Sequence, residues 1–354
     1  MLAEMVDHVI GIDPDRDWVT AAVLEASTAR VLATGRFGAN SAGYRQVVAW
    51  ADEYSTATER AWAIEGTASY GRGVTAALAR CGEWVIEFDR ATQKPAKDGS
   101  KTDELDAIRA ARETLGRTKL ASPRTHRGFR EALRVHAVAR DSAVQARTAA
   151  INELKAFVVT ADESLRSELR GLRTAGLVKR CARFRHSTNR TVEAACTRAV
   201  MRAVARRIIH LNDEIAIHTK ALTALVDQAA PQLVAEVGIG PVTAAGFYIA
   251  WSHPGRCRNE AAYARLGGTA PIEVTSGQTQ DRHRLSRRGD RQLNKALHQV
   301  AVTRLRCHPP TQAYKQRRTA EGKTDREIRR CIKRYIARRV SRLLEHQTPP
   351  QTTT

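Results

Sequence analysis

The sequence has no closely spaced cysteine pair: Cys81, Cys181, Cys196, Cys257, Cys307 and Cys331 are scattered, with no CxxC among them. Neither a zinc ribbon nor a disulfide scaffold is indicated. No stretch reaches the roughly 18 consecutive apolar residues of a membrane span, and the N-terminus lacks the basic segment and apolar core of a leader peptide. A soluble intracellular protein with no membrane partner is the expectation. Lysine is also scarce, at 11 residues against 47 arginines, and acids are outnumbered 37 to 58.

The shortage of acids is uneven. Residues 1–115 carry 13 basic and 18 acidic side chains, a net of −5, whereas residues 116–354 carry 45 and 19, a net of +26. An acidic module joined to a strongly basic one points to metal chemistry in the first and a bound polyanion in the second. Arginine suits bidentate contact with phosphate. At 354 residues the chain has room for two domains and a sizeable core.

The acidic part is organised around KTDELDAIRAAR at 101–112, where Asp103 and Asp106 stand three apart at the start of an expected helix, on one face. Two more acids close apolar runs, Asp13 after VIGI and Glu65 after AWAI. Singly, each is an ordinary cap, turn or first-turn acid. Together, their order and spacing describe a site for a hard divalent cation, Mg²⁺ or Mn²⁺, which prefers oxygen ligands. Asp15, Asp17 and Glu104 read as neighbouring surface acids. Three strand-like runs (HVIGID, WVTAAVLEA, RVLATGRF) come first, then helix 43–55, strand AWAIE, helix 70–81, strand WVIEFD and helix 102–115. That order predicts a mixed α/β sheet covered by helices, as in an RNase H-like fold.

Beyond residue 126 strand signals vanish. Val204, Ile208, Leu211, Ile215, His218, Leu222 and Leu225 alternate steps of four and three, the period of a coiled coil. The stripe would serve dimerisation, a spacer arm or an intramolecular helix pair. Arg127, Arg130 and Arg134 form an arginine face that could contact phosphates. PQLVAEVGIGPVTAAGFYIA, from Pro231, reads as a helix-hairpin-helix: Gly238 and Gly240 let backbone N–H groups approach a phosphate, and Pro241 opens the second helix. The block at 267–301 places Ser276 and Gly277 in a polar loop before His283, Arg284, Arg287, Arg288 and Arg291. Locally, Ser-Gly is a turn. A basic helix at 324–346 and a polar tail end the chain. The domain boundaries so read are 1–120, 121–229 and 230–346, with 347–354 disordered.

VIGID, AIEGTASYG, KTDELDA, GIGPVTAA and GGTAPIEVTSGQTQDRHRLSRRGDRQLNKALHQVA, in this order over nearly the whole chain, resemble the bacterial insertion-sequence one-ten family, the DEDD transposases. The resemblance implies a RuvC-like domain first and a transposase domain last. It assigns Asp13, Glu65, Asp103 and Asp106 to a Mg²⁺-binding tetrad and Ser276 to a nucleophile that becomes joined to a DNA 5′ phosphate. It further implies donor and target DNA, a noncoding bridge RNA as guide, a homo-oligomer (a tetramer), and a bacterial cytoplasmic, nucleoid-associated location. Gln278, Thr279, Gln280 and Asp281 are more polar and less basic than the family pattern. Two other readings stay open, a structure-selective metal-dependent nuclease using the tetrad alone and a non-catalytic nucleic-acid-binding protein.

Overall fold

The computed structural model describes residues 1–88, 102–118, 120–124, 127–185, 191–273, 283–285 and 289–346. The chain divides into two compact units, one of Met1–His126 with Ser252–Arg256, the other of Arg127–Trp251 with Cys257–Thr354.

In the first unit β1 (His8–Pro14), β2 (Trp18–Glu25) and β3 (Val31–Gly38) form an antiparallel meander. Helix α1 (Ser41–Asp52) leads to β4 (Arg60–Glu65), α2 (Arg72–Arg80) to β5 (Val85–Phe88), and α3 (Asp103–Leu115) follows. The sheet order is β3-β2-β1-β4-β5, with β4 and β5 parallel to β1, so the mixed α/β expectation holds. Alternation along each strand separates two cores. Ile10, Ile12, Trp62 and Ile64 face Val47, Val74 and Leu78 of α1 and α2, whereas Val9, Ala61, Ala63 and Ile86 face Ala107, Ala111 and Leu115 of α3.

Beneath α1 lies a buried ionic knot. Arg60, 1% exposed, donates through Nε to Glu83 Oε2 at 3.0 Å and through Nη1 to the Ser55 carbonyl at 2.6 Å. Its Nη2 pairs with Glu83 Oε1 and lies 2.8 Å from Asp52. Trp62 Nε1 also donates to Glu83, at 2.6 Å. Every strong donor facing Glu83 is therefore matched, the condition under which a buried pair is tolerated.

The second unit is built on two long helices, α4 (Gly128–Thr160) and a second that follows α5 (Glu163–Leu169) and α6 (Thr174–Ala182), namely α7 (Val192–Ala229). Pairs from Arg140 Nε to Thr219 Oγ1 (2.9 Å) and from Arg147 to Asn212 (3.1 Å), with Arg207 on Glu153, show that α4 and α7 run antiparallel. Val204, Ile208, Ile215 and Leu222 are buried, so most of the heptad stripe is spent within the chain. The arginine face is corrected at two of its three positions, Arg127 staying exposed. Arg130 is 3% exposed, with Nε 3.5 Å from the Ile249 carbonyl, and Arg134 is held by Glu131 through two hydrogen bonds. Phenylalanine and leucine neighbours at the same turns pull this face inward.

One end of the α4–α7 bar packs with α5 and α6 around Leu154, Leu177, Met201 and Ile208. The other end joins the helices α8 (Pro231–Val234), α9 (Pro241–Trp251), α10 (Glu260–Leu266), α11 (Arg291–Cys307), α12 (Pro309–Ala320) and α13 (Asp325–Glu345). Phe247, Trp251, Tyr263, Leu297 and Ile336 centre that core. Between α10 and α11 stands a two-stranded antiparallel ladder, β6 (Pro271–Glu273) and β7 (His283–Leu285), in a region read as mainly helical.

Glu83→Ala would leave the buried Arg60 with only the exposed Asp52 and the Ser55 carbonyl, and Trp62 Nε1 without its acceptor. The expected loss is about 3–5 kcal/mol of stability, read as a lowered urea midpoint, whereas a loss below about 1 kcal/mol, the worth of an exposed pair, would contradict the buried knot.

Candidate functional site

The parallel pairing of β1 with β4 sets Ile12 beside Ile64, so Asp13 and Glu65 follow side by side at the carboxyl edge of the two strands. Adjacent strands are about 4.8 Å apart. Both acids fall on the face of Val9, Ala61 and Ala63, the face that α3 covers. Ligands of open α/β sheets collect at this edge.

Helix α3 brings the other two acids. Thr102 caps it, its Oγ1 accepting the Leu105 N–H at 3.3 Å, which puts Asp103 and Asp106 in the first turn, where the helix dipole favours carboxylates. Its direction follows from packing. Leu115 lies in the cluster of Leu2, Val6 and Val9, while Ala107 and Ala111 cross β1 at Gly11, so the first turn points toward the Asp13 and Glu65 edge. That crossing is close: a Cβ on Gly11 would stand 1.9 Å from the Ala107 carbonyl oxygen. Asp103, four residues before Ala107, shares the sheet-facing stripe.

Asp13, Glu65 and Asp106 are half-buried and Asp103 is exposed, so solvent reaches the edge. Asp106 Oδ1 is engaged by Arg109, one turn along α3. Among the described residues no three His, Cys, Asp or Glu side chains stand close enough to share a metal ion. The donor set fits a hard divalent cation in kind, being all carboxylate and free of thiol and imidazole, but the side chains as placed do not close a coordination shell.

Two participants at this edge escape a motif reading. Gly11 is one, and its signal was the single glycine inside an otherwise apolar strand. Arg109 is the other, at the i+3 spacing that pairs charges on a helix. On β5, Glu87 points to the opposite face, where it accepts from Thr67 Oγ1 at 2.9 Å and pairs with Arg256 at 3.5 Å.

In the second unit, Ser276, Gly277, Arg287 and Arg288 lie outside the described residues, and for His283 and Arg284 only the backbone is described. Arg291 is exposed in the first turn of α11. The glycine hairpin takes the form of the four-residue α8, a turn with Gly238 at φ +82°, and α9 opening at Pro241. The Gly240 N–H is taken by Thr243 Oγ1 at 3.0 Å. Arg304 braces the turn, donating to the Val237 carbonyl at 2.7 Å and to Glu236 at 3.1 Å, with Arg339 on the other Glu236 oxygen at 2.8 Å.

A carboxylate edge on a mixed sheet, with a separate helical unit rich in arginine, defines a protein that works on nucleic acid strands. Residues 10–161 match the DEDD model of the IS110 group, described as a transposase, and residues 232–316 match the model described as the transposase IS116/IS110/IS902 family. A comparison with curated proteins finds no match. The chain belongs to the IS110 family of transposases, and its substrate is accordingly DNA. No helix among the described residues is long and apolar enough to cross a membrane.

Gly11→Ala tests how the edge is assembled. The added methyl must push α3 off β1, costing about 1–3 kcal/mol as overpacking does and lowering DNA cleavage with it. Wild-type urea stability in that variant would refute the close approach.

Proposed function

We propose that the chain is the recombinase of an insertion sequence, cutting and rejoining DNA through a covalent 5′-phosphoserine at Ser276. What supports this reading is the β1–β4 register, which brings the strands to an end at Asp13 and Glu65 on the sheet face that α3 covers, within a chain that matches both transposase models in order. Asp13, Glu65, Asp103 and Asp106 would hold Mg²⁺ or Mn²⁺ in an RNase H-like, RuvC-like domain. Bound there, the cation neutralises phosphate charge and lowers the proton affinity of a nucleophile.

The serine oxygen bonds to phosphorus as the P–O3′ bond breaks, so one proton leaves the serine hydroxyl and one is gained by the departing 3′ oxygen. A serine hydroxyl is a weak nucleophile at neutral pH and needs this activation. The phosphoester stores the bond, and a 3′-OH from another strand reverses the step without nucleotide hydrolysis. The remaining parts of the reading rest on the family resemblance and the charge of +26 beyond residue 115. They are a noncoding bridge RNA that chooses donor and target sites by pairing, a tetrameric assembly, and phosphate contacts from Gly238, Gly240, Arg284, Arg287, Arg288 and Arg291.

The deciding experiment incubates the protein and its co-purifying RNA with Mg²⁺ and 3′-end-labelled DNA carrying the element's junction. Label should migrate with denatured protein, and the adduct should disappear in Ser276→Ala and Asp103→Ala. Strand breakage without an adduct, unaffected by Ser276→Ala, would establish a metal-dependent nuclease instead. Salt-sensitive binding without Mg²⁺-dependent breakage would reduce the chain to a binding protein.

A further inference from the structure

Lys333 of α13 is 8% exposed, and its Nζ donates to Asn294 Oδ1 of α11 at 2.7 Å. Among the described residues no carboxylate pairs with it. A buried ammonium is costly without a partner, and a methionine of similar length would fill the same space. Burial accordingly pushes the lysine below its usual titration range. What the cation does is visible one bond further on, since Asn294 Nδ2 donates to the Gly267 carbonyl at 2.6 Å.

The chain of bonds has a defined sense. An ammonium is donor only, so it compels Asn294 to turn its oxygen toward α13 and its NH₂ toward Gly267. Gly267 is where the chain leaves α10 for β6, and the return from β7 is pinned at the same place. The Asp290 N–H donates to the Leu266 carbonyl at 2.8 Å, and the Thr269 hydroxyl and N–H both donate to the Ala264 carbonyl, at 2.8 and 3.0 Å. The two limbs are packed without slack. A Cβ on Gly289, at φ +121°, would stand 2.4 Å from the Leu266 oxygen, and one on Gly267 would stand 2.8 Å from Leu297 Cδ1.

We propose that Lys333 is a positioning residue of the strand-cleavage reaction: through the Asn294 amide it holds the Gly267 carbonyl, and with it the root from which the β6–β7 ladder projects. The proposal rests on the reading that the segment between these strands carries the nucleophile. A displacement of about 1 Å at a reacting group can lower a rate about 100-fold, so a rigid root matters more here than the cost of one buried charge.

Two variants separate the role from mere support of the fold. Lys333→Met keeps volume and frees the amide to turn over. Asn294→Asp leaves Lys333 with an ionic partner, which guards the fold, but removes the donor to Gly267. Both should melt within a few degrees of wild type, whereas amide hydrogen exchange in peptides spanning 264–290 should accelerate about 10-fold or more, reporting local opening. Adduct formation on the junction DNA should fall about 10- to 100-fold, with DNA affinity unchanged. Wild-type exchange in both variants would overturn the positioning role. Faster exchange with an undiminished adduct rate would overturn its link to the reaction. An adduct that survives Ser276→Ala would refute the serine assignment alone, leaving the exchange result to stand on its own.

Discussion

The approach of α3 to β1 at Gly11 governs the geometry of the carboxylate edge. Side chains normally hold a helix off a sheet, yet here the backbone of Ala107 meets the strand where no Cβ intervenes. With alanines at 107, 110 and 111 completing the contact, α3 lies low across the sheet, and its first turn comes down at the ends of β1 and β4. The four acids are distributed over three elements and more than 90 residues, so no local interaction could gather them. Asp106 pairs with Arg109 of its own helix.

The second unit solves a different problem, carrying many like charges on a stable body. Its acids are placed where they hold arginines together: Glu236 lies between Arg304 and Arg339, and Glu260 between Arg338 and Arg342. Arg338 beside Glu260 keeps that carboxyl below its usual range. The α4–α7 bar links two separate apolar cores, one closed by α5 and α6 and the other shared with α9 to α13. Burial inside the unit uses the apolar face of nearly every helix, leaving arginine-rich faces outward for a polyanion.

Much of this was legible in one dimension. Strand, helix and acid in the order of the first unit follow from short apolar runs rich in β-formers and from Thr102 ahead of an acidic first turn. The cap at Thr324, whose side chain exchanges hydrogen bonds with Glu327, was readable in the same way. Other features were not. The heptad stripe on α7 carries its period openly, but the period is the same whether the partner helix belongs to another chain or lies earlier in this one. Arg130 looked like a phosphate contact because charge is visible in a sequence and burial is not.

The sequence by itself determined most of the local elements, the placing of Asp13 and Glu65 where apolar runs end, the family, and the split between an acidic and a basic half, because these depend on side-chain chemistry and spacing along the chain. Only the tertiary structure decided that α3 crosses at Gly11, that Glu83 receives a buried arginine, and that Lys333 reaches Gly267 through Asn294. Each of those joins residues by close packing across elements, and the free energy of such contacts depends on which surfaces meet and how nearly water is excluded between them.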